Sequence, residues 1–383
     1  MPAWLQSLTA SEKEGLMLQA VSLAMRGKGW TAPNPCVGAL LVRDGHIVAR
    51  GWHKRFGGAH AEVEAIRQAE SQGVDPSECA LWVTLEPCNH SGKTPPCTQA
   101  IVQSGIRNVF IGAADPNTAV PGGGAEFLQS QGVAVEMDIA SQACRDLIAD
   151  FMVWQSKRRP FVQLKLASTL DGRIGNRDGG PLAISGTQSR QAVQQLRRAA
   201  GAVLVGGNTF YQDNPRLTCR LSHGASQTQP LAVVITSRLP APAAELNLLR
   251  RSPQELIFWT DDRAATSHEA DSLAEQGVRI WSLGPKPGAL DLEAGLQRLY
   301  DEAGCHYVLC EGGGRLASRL AEAGVVDELH LFLAPKVLGD EKAVSAFSGR
   351  SVFGLNEALE WRLIESRPIG SDLWLIYRPF SGA

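Results

Sequence analysis

The sequence predicts two successive α/β layered domains, on three observations. Apolar strand-like runs alternate with helix-periodic segments through both halves. The first half opens that alternation with a hairpin signal. A basic, proline-ended break, "QSKRRP" at 155–160, separates two complete series of elements. The expected domains are residues 1–156 and 157–383.

The elements follow in order. Ser11 and Glu14 form an S-x-x-E capping signature ahead of Leu16, Met17, Ala20, Leu23 and Ala24, which predicts a helix. "CVGALLV" and "HIVARGW" flank Asp44-Gly45, a two-residue hairpin turn. "AEVEAIRQAE" carries Val63, Ala65, Ile66 and Ala69 at helical spacing. "ALWVTL" and "NVFIGA" read as buried strands around a short helix, "TQAIVQSG". "AEFLQSQGVAVEMDIASQACRDLIADFMVW" continues as helix, strand, helix. Past the break, "FVQLKLAS", "AVLVGG", "LAVVIT", "ELIFWT" and "YVLCEGGG" read as strands, interleaved with helices at "RQAVQQLRRA", "GLQRLYDEAG" and "RLASRLAEAG". "DELHLFLAP" and "LWLIYRPF" predict a closing antiparallel pair.

Composition excludes several classes. In 383 residues, 44% hydrophobic, there is enough apolar side chain for two cores. A net charge of -2 without blocks of like charge argues against nucleic acid or an anionic membrane as partner. The eight Cys, in a long chain whose N-terminal stretch lacks a positive region and is interrupted by Glu12, Lys13 and Glu14, do not read as a disulfide framework. The expectation is a soluble, cytoplasmic protein acting on a small molecule.

The chemistry concentrates in "HAEVEAI" and "TLEPCNHSGKTPPC". His60, Cys88 and Cys97 supply three zinc-type donors. Three protein ligands leave a fourth tetrahedral position for water, whose pKa the metal lowers toward ~7. Glu62, two residues past His60, is then free to shuttle a proton. This is the logic of zinc deaminases, with H-x-E and then P-C-x-x-C. The chain departs from it in that eight residues separate the cysteines, among them His90 and Lys93. The bland alternatives are a closed structural site, with His90 or Cys79 as fourth ligand, and a redox pair of cysteines. Cys36, Cys144, Cys219, Cys305 and Cys310 read as core thiols.

"TAPNPCVGALLVRDG", "GGAHAEVEAI", "TLEPCNHSGKTPPC" and "AADPN" resemble the deaminase half of the bifunctional riboflavin-biosynthesis deaminase/reductases. The resemblance implies a cytidine-deaminase-like three-layer fold, zinc on His60, Cys88 and Cys97, and Glu62 as the proton donor. It also implies substrate contacts from Asn34, His53, His90, Lys93, Asp115 and Asn117. A Lys and a His beside a metal suit a sugar phosphate.

"QLKLASTLDGRIG", "SRQAVQQLRRAAGAVLVGGNTFYQDNPRLTCR" and "CEGGGRLASRLAEAGVVDELHLFLAPKVLG" are similar to the reductase half of the same family, whose fold is like that of dihydrofolate reductase. The glycine turn "CEGGGRLAS" alone is weak, since it is not G-x-G-x-x-G. The resemblance implies NADPH contacts from Ala167, Thr209, Asp213, Glu311 and the segment holding Gly313, Gly314 and Arg315. It implies substrate contacts from Arg197, Leu217 and Arg220. One departure stands out: Pro181 and Ala183 occupy places where the family has Ser and Trp. The sequence-based expectation is a zinc deaminase that hydrolyses the amine of a pyrimidine nucleotide, followed by an NADPH-dependent reductase of the product's ribose, in a homo-oligomer (dimer or tetramer). Rival readings are a deaminase joined to an impaired, merely binding reductase-like domain, and a nucleic-acid base deaminase.

Overall fold

The computed structural model describes residues 2–90, 95–117, 123–178, 182–221 and 229–380. They form two compact units, Met1–Lys157 and Arg158–Ala383.

The first unit is built on five strands: β1 (Gly38–Arg43), β2 (His46–Trp52), β3 (Ala80–Val83), β4 (Asn108–Ile111) and β5 (Ala134–Glu136), in the order β2-β1-β3-β4-β5. β1 is antiparallel to β2 and β3; β3, β4 and β5 run parallel. Asp44 and Gly45, at φ 52° and 77°, make the hairpin turn that the sequence predicts. The first long helix is Ala10–Ala24, two residues ahead of the expected start: its capping box is Thr9 and Glu12, not Ser11 and Glu14. Thr9 suits the role because its extended backbone (φ -70°, ψ 161°) aims its hydroxyl at the Glu12 N–H.

Two glycines place helices on opposite faces of this sheet. A Cβ at Gly38 would lie 2.2 Å from the Ala20 carbonyl oxygen, so the helix Ala10–Ala24 rests on that face. A Cβ at Gly51, on the opposite face through its partner Ala39, would lie 2.1 Å from the Ala61 oxygen. The helix Ala61–Ser71 therefore sits backbone to backbone on β2, and its N-cap, His60, is held at the sheet edge. The result is the three-layer arrangement expected of this half.

The second unit has nine strands. β6 (Phe161–Ser168), β7 (Ala202–Gly206), β8 (Leu231–Ile235), β9 (Leu256–Thr260), β10 (Arg279–Ser282), β11 (Tyr307–Cys310) and β12 (Glu328–Leu333) are parallel to their neighbours; β13 (Trp361–Ile369) and β14 (Asp372–Pro379) close the sheet antiparallel. The order is β10-β9-β8-β7-β11-β6-β12-β14-β13. Apolar clusters cover the sheet through Leu204, Trp259 and Val308 in one and Val203, Phe210 and Phe258 in another, as a doubly covered parallel sheet requires. The basic break supplies a buried strut: Arg159, 1% exposed, bonds Asp327 at 2.6 and 2.9 Å, tying the start of β6 to that of β12. The pattern reading missed β10, β13 and the helix His268–Glu275, all short or polar-faced.

Candidate active sites

In the first unit the donors come from three local devices. His60 caps the helix Ala61–Ser71 with extended backbone (φ -76°, ψ 164°), Cys88 sits in the loop after β3, and Cys97 opens the helix Cys97–Gln103. His60 Nδ1 lies 3.2 Å from Cys97 Sγ and 3.5 Å from Cys88 Sγ, and all three donor atoms fall within 4.8 Å of one another. Among the described residues this is the only such group; Cys79 is elsewhere, against the Asp75 carbonyl, and His90 is not in it, so the closed-site alternative loses its fourth ligand. A hydrogen bond from the Cys97 thiol, with His60 beside it, brings Cys88 down to about 4, ready as a thiolate. The separate hydrogen bond between His60 and Cys88 pushes His60 up.

Glu62 is 3% exposed, in the first turn of the helix, and outside the donor group. Burial, then the Cys88 thiolate, raises its carboxyl above the usual range. His53 is buried; its Nδ1 bonds the Ala59 carbonyl at 2.9 Å and its Nε2 meets the Asn34 amide at 3.3 Å. Burial lowers its pKa, so the ring is neutral, with Nδ1–H donating and Nε2 accepting from Asn34. Asp115 is pushed up by burial, and its Oδ1 accepts the Asn117 N–H at 2.9 Å.

These groups converge on one cavity of about 320 Å³, lined by Asn34, His53, His60, Glu62, Cys88, His90, Asp115 and Asn117. Cys97 lies buried behind the wall, and Lys93 falls outside the described residues. Sequence reading missed the rest of the wall. Glu86, Phe56, Phe151 and Gln155 line the same cavity. Asp150, buried and paired with Lys28 at 2.6 Å, anchors the start of the helix that carries Phe151 and Gln155.

In the second unit a larger cavity, about 980 Å³, opens at the carboxyl ends of β7, β8 and β11. That is where open parallel sheets take ligands. Thr209, Asp213, Gly313, Gly314 and Arg315 line it, with Arg319, Ser237 and Thr236 added by the structure. Close approach explains the glycines: a Cβ at Gly314 would meet the Ser345 oxygen at 2.2 Å, and one at Gly207 the Thr236 hydroxyl at 2.7 Å.

Ala167, Arg197, Glu311, Leu217 and Arg220 are not among the described residues on that wall. Arg197 forks onto Glu311, Nε to Oε1 at 2.5 Å and a terminal nitrogen to Oε2 at 3.0 Å. Burial alone would raise Glu311; the Arg197 hydrogen bonds, with Lys165 and Arg220 nearby, hold it low. Lys165, unread in the sequence, is itself lowered by burial and faces the same carboxylate. Leu217 holds φ 51° with its side chain in the core, so it presents backbone. Pro181 lies outside the described residues. Ala183 is exposed, and its carbonyl accepts from Lys336 Nζ at 3.3 Å.

Comparison with known proteins defines the class. Residues 10–113 match the family "Cytidine and deoxycytidylate deaminase zinc-binding region", and residues 160–375 match the "RibD C-terminal domain". The protein is an enzyme of two activities, a deaminase joined to a reductase. The riboflavin biosynthesis protein RibD of Aquifex aeolicus is 34% identical over 95% of this chain and 98% of its own length; that of Escherichia coli is also 34% identical, over 95% and 98%. Among solved structures, Acinetobacter baumannii RibD aligns with TM-score 0.75 at 32% identity over 97% of this chain and 100% of that one. A diaminohydroxyphosphoribosylaminopyrimidine deaminase/5-amino-6-(5-phosphoribosylamino)uracil reductase of Thermotoga maritima aligns with TM-score 0.75 at 34% identity, over 97% and 99%. The chain belongs to the RibD family of riboflavin biosynthesis proteins. The reading as a nucleic-acid base deaminase and that of an inactive reductase-like module are not favoured. No described helix is long and apolar enough to cross a membrane.

Proposed function

We propose that the first unit hydrolyses the ring amine of 2,5-diamino-6-(5-phosphoribosylamino)pyrimidin-4(3H)-one. The carrying observation is the convergence of His60, Glu62, Cys88, Asn34, Asp115 and Asn117 on one cavity. His60, Cys88 and Cys97 fit zinc: a tetrahedron with Zn–S ~2.3 Å and Zn–N ~2.0–2.1 Å has N–S edges of about 3.5 Å, against 3.2 and 3.5 Å here. Zinc held there supplies a water acidified toward neutral pH. Glu62, in the same cavity, would accept a proton from the attacking water and return it to the amine nitrogen, which leaves as ammonia while the water oxygen takes its place on the ring carbon. Its raised pKa suits a group that must give a proton back near neutrality. Asn34, held by neutral His53, orients the ring; Asp115 and Asn117 hold the opposite side; His90, on the same wall, takes the ribose phosphate.

The second unit then reduces the ribosyl group of 5-amino-6-(5-phosphoribosylamino)uracil to ribityl. Thr209, Asp213, Gly313, Gly314 and Arg315, which line the cavity, would hold NADPH, and the cofactor would supply the hydride. Arg197, Arg220 and Lys165 outnumber Glu311 in their cluster, a balance suited to an anionic substrate. Nearly full exposure of Phe353 and Leu355 supports a homo-oligomer, read by native mass. The deciding experiment incubates the pure protein with the diaminopyrimidine nucleotide, with and without NADPH, and weighs the products. The expected changes are deamination alone without NADPH and deamination plus two hydrogens with it; unchanged nucleotide in both would sink the reading.

A further inference from the structure

We propose that Glu86 is a positioning residue of the deaminase cavity, whose carboxylate fixes the Asp115–Asn117 segment against the Cys88 segment and so sets substrate affinity rather than turnover. The inference rests on the assignment of Asp115 and Asn117 to substrate made above.

Glu86 stands two residues before Cys88, and its backbone N–H donates to the Ala113 carbonyl at 2.9 Å. Its carboxylate spans the segment that follows. Oε2 accepts the Asp115 N–H at 3.2 Å, and Oε1 accepts the Ala125 N–H at 2.9 Å, in the first turn of the helix Gly124–Ser130. One side chain thus holds both flanks of the stretch that carries Asp115 and Asn117. Only a carboxylate offers two charged acceptors at this spacing, and bonds to a charged acceptor are the stronger kind. Asp115, once seated, accepts the Asn117 N–H at 2.9 Å, so the placement of Asn117 follows from that of Asp115.

The surroundings leave little slack. A Cβ at Gly124 would meet the Pro87 carbonyl oxygen at 1.9 Å, and a Cβ at Gly123 would come 2.8 Å from Glu86 Oε1. Glu86 is outside the His60, Cys88 and Cys97 group, so it acts on the substrate side of the cavity rather than on the metal.

The test uses the full-length, zinc-replete protein and the diaminopyrimidine nucleotide. Glu86→Gln loses one acceptor and turns an amide N–H toward a backbone N–H. Its KM should rise about tenfold with kcat within about threefold, while zinc content and the reductase rate stay unchanged. Gly123→Ala, which displaces the same carboxylate without altering residue 86, should raise KM in the same way. In an Asp115→Ala/Asn117→Ala background, Glu86→Gln should add less than about twofold, because its effect runs through those residues. Unmoved KM in Glu86→Gln, lost zinc, or full additivity in the cycle would overturn the inference. If Glu86→Gln does not fold, an unmoved KM in Gly123→Ala overturns it instead. A wild type that leaves this nucleotide untouched would sink the substrate assignment and this inference together; a wild type that turns it over with KM unmoved in the variants sinks this inference alone.

Discussion

The deaminase donors all come from residues 60–97, on two helix starts and one loop, whereas the reductase cavity draws on groups from Ile174 to Ser348 at the ends of parallel strands. The first site is compact and gathers metal-type donors; the second is wide and glycine-lined. The contrast reflects the chemistry. Hydrolysis needs a nucleophile made on the spot and a proton carrier beside it, so a few strongly perturbed groups must touch. Hydride transfer brings its reactive atom with the cofactor, so the protein supplies length, amides and charge balance.

The sharpest way to break this contrast is to remove the proposed proton carrier. Glu62→Gln is expected to lower kcat for deamination by about 10²–10⁴-fold. About one zinc per chain should remain, and reduction of preformed 5-amino-6-(5-phosphoribosylamino)uracil should continue at the wild-type rate. Zinc loss on elemental analysis would make Glu62 a ligand, and a fall in reductase rate would mean the two sites are not independent.

The next effect is on stability and lies in the second unit alone. Burial would raise the Glu328 carboxyl, but His330, at 2.9 Å, and Arg378, at 2.7 Å, overcome it and hold its pKa below the usual carboxylate range. A depressed folded-state pKa stabilises above the unfolded value of about 4.3, and that contribution is lost as pH falls through the folded value. Glu328→Gln should therefore cost about 2–3 kcal/mol at pH 7. The gap to wild type should shrink steadily in denaturant titrations below pH ~4.3, and a gap independent of pH would show that the carboxylate's charge contributes nothing.

The smallest expected effect sharpens the picture of the wide cavity. Arg315 is exposed on its wall at the start of the helix Gly314–Glu322, where a guanidinium can meet a 2′-phosphate. Wild type should prefer NADPH over NADH by roughly tenfold or more, and Arg315→Ala should remove about tenfold of that ratio. An unchanged ratio of kcat/KM values would move the phosphate contact to another residue, with Arg319 and Ser237 next on the wall.

The same contrast explains what could be read in advance. His60, Glu62, Cys88 and Cys97 were legible because a metal site fixes residue type and short spacing together, and a strand, a turn and a helix start keep those spacings in space. Alternating apolar runs likewise announced nearly every central strand. The cavity's other walls were not legible. Phe151 and Gln155 lie on a helix whose apolar pattern reads as ordinary core, and Lys165 alternates along β6 like any half-buried strand residue. Glu86 carries no signal beyond adjacency to a Pro-Cys pair, because its role is to bond backbone N–H groups that pattern cannot reveal. The edge pair β13 and β14 was half seen: β14 alternates, while β13, "WRLIESRPI", is too polar.

The contact at Gly51 reaches further than packing. Because the helix Ala61–Ser71 lies backbone to backbone on β2, position 51 serves as the mechanical reference for His60 and Glu62 at once. Any side chain there would push back the helix start, and with it both the proposed metal donor and the proposed proton carrier. A program of directed evolution toward other aminopyrimidines would find that floor closed to variation, and its useful diversity would be confined to the opposite walls, at Phe56, Phe151 and Gln155, where side-chain size can change without moving the helix.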